Sequence, residues 1–150
     1  MSFTRSFVDI ELSDLRDITK ERVENGWRCV QTHCVSVDTD VVDIIYTFEK
    51  DGSFENLCIR HVVKGTEVPS IQDMQLGVFP FENEAHDLFG VNMTGMVLDF
   101  QGGFYDLAVK EPMTIITPEL KERREKAAKL AKMKAQKEAA KKAAAAGKEE

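Results

Sequence analysis

The alternation of apolar and polar residues is clearest at 42–48. Val42, Ile44, Tyr46 and Phe48 share one parity, and Asp43 and Thr47, with Glu49 beyond, occupy the other. That period of two predicts a strand with one covered face. Asp51-Gly52 follows, a pair suited to a two-residue hairpin turn in which both positions need positive φ. The returning segment 54–63 places Leu57, Ile59 and Val63 on one parity. Upstream, 28–37 (RCVQTHCVSV) reads as a strand with imperfect alternation, ending at the Asp38-Thr39-Asp40 turn. A three-strand antiparallel meander follows from these three runs.

Helical signals flank the meander. Ser13 is positioned to cap a helix over about 14–25, with Leu15, Ile18 and Val23 on one side and Asn25-Gly26 as the stop. Pro69-Ser70 precedes a short predicted helix at 70–76, ended by Gly77. Placed on a helix, 81–89 brings Phe81, Ala85, Leu88 and Phe89 to one side. Glu82 and His86 then stand one turn apart, and Gly90 closes the helix. Residues 91–117 are broken by Gly95, Gly102 and Gly103, which predicts brief strands or coil. Thr117 as N-cap and Pro118 at the first position open a polar tail helix with i,i+4 pairs such as Glu122/Lys126. The expected architecture is α+β: an antiparallel sheet with flanking helices in a domain at 1–117, then a long charged, Lys/Ala-rich helical tail at 118–150.

Charge is unevenly distributed over the 150 residues, whose net charge is −6. From Glu119 onward there are 11 basic and 6 acidic residues, leaving 9 basic and 20 acidic in 1–118. An acidic body argues against nucleic acid as the main partner. No run approaches the roughly 18 apolar residues of a membrane span, and the first residues lack the apolar core of a secretion signal. A cytoplasmic chain is expected, touching a membrane only through partners.

The candidate chemistry is sparse. Cys29, Cys34 and Cys58 are too few, and wrongly spaced, for the usual four-ligand zinc or iron–sulfur site, so no cofactor is expected in this chain. No Gly-x-Ser-x-Gly elbow or phosphate-binding glycine loop is present. Glu82 and His86 could together hold a metal or perform acid–base work, which keeps a small metalloenzyme as an alternative. The stretch 79–91 (FPFENEAHDLFGV) otherwise reads as a helix that buries its aromatics and turns its carboxylates outward. No Lys or Arg occurs between Lys64 and Lys110. Either Arg28, Arg60 and Lys64 come over from the sheet to meet those carboxylates, or another polypeptide supplies the cations; the number of acids on a small body favours the second.

The order Glu82-x-Glu84-x-x-Asp87-x-Phe89-Gly90-Val91, then Thr94-Gly95, resembles the signature E-R-E-x-x-D-x-F-G-(I/V)-x-F-x-G of the 30-kDa subunit family of respiratory complex I. The resemblance covers about 1–118 and includes the preceding sheet and Pro69-Ser70. Asn83 stands where the family has Arg, and the family's G-H-P-x-L-R-R continuation is replaced by Gly95-Met96-Val97-Leu98. A shortened version of this kind resembles the corresponding subunit of energy-converting, membrane-bound NiFe hydrogenases. The alternative is the 30-kDa subunit of a complex I-type NADH or F420H2:quinone oxidoreductase. The resemblance implies a non-catalytic hydrophilic subunit of an ion-translocating redox complex, peripheral on the cytoplasmic face of the membrane. It implies packing on the catalytic large subunit, near the small subunit with its 4Fe–4S cluster, the NiFe site and clusters belonging to those partners. Glu82, Glu84, Asp87, Phe89 and Gly90 are the expected subunit interface.

Overall fold

The computed structural model describes residues 3–115 and scattered positions between 117 and 133. The chain divides into two units, 1–115 and 116–150. In the second, the described residues from Pro118 to Met133 are helical, and Lys126 meets Glu122 at 2.7 Å. The remainder of the expected tail helix lies outside the described residues.

The first unit is α+β. Its elements are β1 (Thr4–Asp9), α1 (Leu15–Glu24), β2 (Arg28–Asp38), β3 (Val41–Lys50), β4 (Ser53–Val63), β5 (Glu67–Pro69), α2 (Phe79–Phe89) and β6 (Asn92–Thr94). The four-stranded sheet runs β1-β4-β3-β2, and β5 and β6 form a small parallel pair. The meander β2-β3-β4 is antiparallel, with the Asp51-Gly52 turn at φ 49° and 81°. The sheet as a whole is mixed, because β1 adds in parallel to β4. All six β1 residues are exposed, so no hydrophobic period marks the strand in sequence.

The core forms on the face predicted from β3. Ile44, Tyr46 and Phe48 are buried there, with Leu57 and Ile59 of β4 beside them. Leu15 of α1, Val68, Ile71, Val78, Ala85 of α2, Val91 and Met93 close over that layer. Each large apolar side chain fully withdrawn from water contributes about 1.5–3 kcal/mol.

Two departures from simple alternation have one cause. Val42 faces Val62, yet Ile44 faces Ile59, so Arg60 and His61 together oppose Asp43. This bulge shifts the parity of β4: Val62 is 7% exposed and Val63 57%, the reverse of the sequence expectation. His61 takes φ 56°, and its amide donates to Asp43 Oδ1 at 2.8 Å rather than to the ladder. Arg60 Nη1 donates to Asp43 Oδ2 at 2.8 Å. A similar shift between Cys29 and Gln31 accounts for the poor alternation of β2.

Two predicted helix features change. A single 3₁₀ turn, Leu12–Asp14, precedes α1, so Asp14 already has helical angles. No side chain caps the helix, and the Ser13 hydroxyl donates to Asp14 Oδ1 instead. Residues 70–76 form no helix. The Ser70 hydroxyl is committed elsewhere, and one turn closed by Ile71 O leads into a 3₁₀ turn at Leu76–Val78 that runs directly into α2. Gly77 therefore lies within the approach to α2.

Burial alone would raise the Asp43 carboxyl, but the His61 amide and the Arg60 guanidinium outweigh it and hold the group below its ordinary value. Its stabilising effect is thus complete above the unfolded value, about 3.9, and is lost as pH falls through the native one. Asp43→Asn is expected to destabilise the fold by about 1–3 kcal/mol near neutrality. Denaturant titrations should show the gap from the wild type closing below about pH 4.

Candidate functional site

Helix α2 begins two residues before the predicted start, with Pro80 in its first turn, where a missing amide hydrogen costs nothing. It ends at Gly90, whose φ is 71°. The positive φ favours glycine here, and a Cβ would lie 2.6 Å from the carboxyl carbon of Glu111, whose side chain would have to shift. Ala85 meets the core, with Phe81 and Phe89 packed partly against it. The polar side was expected to face water. Instead Glu82, Asn83 and Asp87 are buried.

Each buried polar side chain holds a separate piece of chain. Glu82 accepts the Ser70 hydroxyl at 2.5 Å and the Ile71 amide at 3.0 Å, fixing the 70–72 turn under the helix. Arg16 reinforces that turn, donating to Ser70 O at 2.5 Å and to both Asp73 oxygens at 2.6 and 3.0 Å. Asn83 Nδ2 donates to Phe79 O and Leu98 O at 2.7 and 2.9 Å, and its Oδ1 accepts the Phe100 amide at 3.0 Å. Gln72 Oε1 accepts the Leu98 amide at 2.8 Å. Asp87 Oδ2 accepts the amides of Phe104 and Tyr105 at 2.9 and 3.0 Å, while Oδ1 lies 2.9 Å from His86 Nδ1. Glu84, half-buried, accepts the Tyr105 hydroxyl at 2.9 Å.

These bonds correct the outward placement of the carboxylates. Glu82 and Asp87 are answered within the chain, mainly by backbone amides and a hydroxyl. Glu84, Phe89 and Gly90 are the members of the expected interface that reach the surface. Glu82 and His86 do not converge on a common site, since Glu82 closes on Ser70 and Ile71 and His86 turns to Asp87. Among the described residues no three metal-binding side chains cluster.

Burial pushes the Glu82 carboxyl up, and the bonds from Ser70 and Ile71 offset this only in part. Gln72 and the Tyr46 hydroxyl, directed at the same carboxylate, also oppose the effect of burial. Burial, with Glu82 adding to it, also lifts the Tyr46 phenol well above its ordinary value. The Cys29 and Cys34 thiols are pushed up to about 12, first by burial. Thiols so far from ionisation at neutral pH are poor nucleophiles and poor metal ligands.

The loop fixed from below by α2 presents apolar side chains outward. Val97, Leu98, Phe100 and Tyr105 are all exposed, and Val109, Met113 and Ile115 extend the same character along the chain. Phe79, Phe100, Phe104 and Tyr105 form a chain of ring contacts with centroids 5.0–6.5 Å apart. The segment is tied down at its far end too, where the Met113 amide donates to Leu88 O and its carbonyl accepts the Ser36 hydroxyl. Residues at the end of α2 and in 101–111 line an open cleft of about 780 Å³. Its walls include His86, Tyr105 and Lys110 but no serine or cysteine, so it offers no side-chain nucleophile of those types. Sequence reasoning found the helix and missed the ridge, because 97–115 carries no period.

No protein-family model matches the chain, and no curated protein does. Its fold is shared. A chain in the structure of the membrane-bound sulfane sulfur reductase (MBS), an archaeal respiratory membrane complex, superposes with a TM-score of 0.59 at 17% identity. The match covers 67% of the present chain and 62% of that one, so the chain spans less than two thirds of its structural neighbour. At this identity the likeness establishes the α+β fold. Among the described residues no helix is long and apolar enough to cross a membrane.

Two outcomes test the roles of the buried acids. Asp87→Ala strands two amides and is expected to cost about 1–3 kcal/mol. Hydrogen exchange should accelerate across 100–106 while β3 and β4 stay protected. For Glu82, the native carboxyl binds its proton more tightly than the unfolded one, whose value is near 4.3. Stability therefore falls as pH rises from there through the raised native value. Thermal melts across about pH 4 to 8 should show Glu82→Gln gaining on the wild type over that window.

Proposed function

We propose that this chain is a non-catalytic hydrophilic subunit of a membrane-bound, ion-translocating redox complex, and that the ridge at 97–115 is its docking element. The observation that carries the reading is the ridge itself: exposed apolar side chains on coil, held in place from beneath by Asn83, Gln72 and Asp87. Apolar surface on a pre-ordered loop fits a protein partner, since little ordering entropy is lost on binding. The shared fold with a chain of an archaeal respiratory membrane complex supports the class of assembly. The motif resemblance at 82–91 supports the finer reading of an energy-converting NiFe hydrogenase that passes electrons from reduced ferredoxin to protons.

In that reading the catalytic large subunit receives the ridge, and the small subunit with its 4Fe–4S cluster lies nearby. The clusters and the NiFe site belong to those partners, and membrane contact, on the cytoplasmic face, runs through them. Glu84, Phe89 and Gly90 contribute at the surface beside the ridge, whereas Glu82 and Asp87 act from below by shaping it. A complex I-type NADH or F420H2:quinone oxidoreductase would use the same surface with a quinone-site subunit in place of the NiFe one.

Co-expression with the large and small subunits tests the assignment. Val97→Asp with Phe100→Asp should weaken co-purification by about 100-fold, or roughly 3 kcal/mol, while circular dichroism of the free chain keeps the folded spectrum of the wild type. Undiminished recovery of the complex would remove the ridge from the interface. The identity of the large subunit retained, NiFe or quinone-site, separates hydrogenase from quinone reductase.

A further inference from the structure

The opposite edge of the sheet carries an independent inference. β1 pairs only with β4 among the described strands, which leaves its outer edge open over six exposed residues. Thr4 and Ile10 donate their amides to Gly52 O and Cys58 O at 3.3 and 3.0 Å, and Ser6 O accepts Asn56 Nδ2 at 2.8 Å. Positions of even number thus turn their main-chain groups toward β4. In a parallel ladder the alternate residues, Arg5, Phe7 and Asp9, direct N–H and C=O away from it. These same three side chains share one face, and the Arg5 guanidinium lies 4.7 Å from the centre of the Phe7 ring.

The edge is self-complementary. An antiparallel pairing of two copies about a two-fold axis at Phe7 sets Phe7 against Phe7 and Arg5 against Asp9 of the second copy, at both ends. All three positions have main-chain donors and acceptors facing outward, as such hydrogen-bonded pairs require. Each Asp9 carboxylate, which already accepts Arg60 Nε at 2.8 Å, would then lie between its own Arg60 and the Arg5 of the second copy. Charges on an open edge ordinarily discourage pairing. Here their signs and spacing favour one register, and the two-fold contact closes on itself instead of propagating.

We infer that the outer edge of β1 binds a second copy of this chain, joining two four-stranded sheets into one of eight strands centred on Phe7. The contact is separate from the docking ridge, and its test does not involve the redox complex. Sedimentation velocity of the full chain should show reversible dimers forming between roughly micromolar and millimolar concentration. Arg5→Asp sets acid against acid and should weaken the dimer at least about tenfold. Circular dichroism should be unchanged, because β1 is exposed throughout. Asp9→Arg should weaken it likewise. An equimolar mixture of the two variants restores both charge pairs and should dimerise as the wild type does. In the wild type, amide exchange at Arg5, Phe7 and Asp9 should slow at dimer-forming concentrations. A chain that stays monomeric, a dimer indifferent to Arg5→Asp, a mixture that fails to recover, or unchanged exchange at those amides would overturn the inference.

Discussion

Asn83 and Asp87 sit on a helix that was expected to show them to water, and they decide where the next twenty residues go. Coil that carries Val97, Phe100 and Tyr105 outward has no ladder of its own to hold it. Its main-chain groups at Leu98, Phe100, Phe104 and Tyr105 are taken up by Asn83, Gln72 and Asp87. Buried amides left without partners cost about as much as a lost hydrogen bond each. The helix and the coil are therefore mutually dependent: the coil covers these polar side chains, and they satisfy the coil.

The same arrangement explains how so acidic a body stays folded with few cations beside α2. Glu82 and Asp87 are not balanced by arginines in contact. Hydrogen-bond donors supply the stabilisation, as they can for a buried acid when two or three converge on it. The two cases differ in balance. At Glu82 desolvation wins, and the carboxyl is pushed up. At Asp43, nearer the surface and beside Arg60, the donors win. Unanswered acids on this chain are thus fewer than a count from sequence suggests, and the case for a partner rests on apolar surface more than on charge.

Those contrasts mark what could be read in advance. Elements with a period were legible: Ile44, Tyr46 and Phe48 announced β3, Asp51-Gly52 the hairpin, Gly90 the end of α2. Elements whose stability is borrowed were not. β1 has no buried side chain, and its place is set by main-chain bonding to β4. The bulge at Arg60-His61 is invisible in composition, yet it exchanges the fates of Val62 and Val63. The burial of Asp87 depends on residues 104 and 105, whose sequence gives no sign that they return to the helix. Local pattern encodes what a segment does against solvent, and it is silent where a distant backbone takes the place of solvent.

A surface made this way bears on chemistry as well as on docking. An active site keeps polar groups both accessible and incompletely satisfied, so that they can exchange partners with a substrate. Here Glu82, Tyr46 and Cys34 are buried, and His86 with Asp87, a polar pair that borders a cleft, has its carboxylate already accepting two amides. Freeing that carboxylate for proton transfer would release Phe104 and Tyr105 and with them the ridge. Asp87, like Glu82 and Asn83, is thus committed to holding distant pieces of the chain in place.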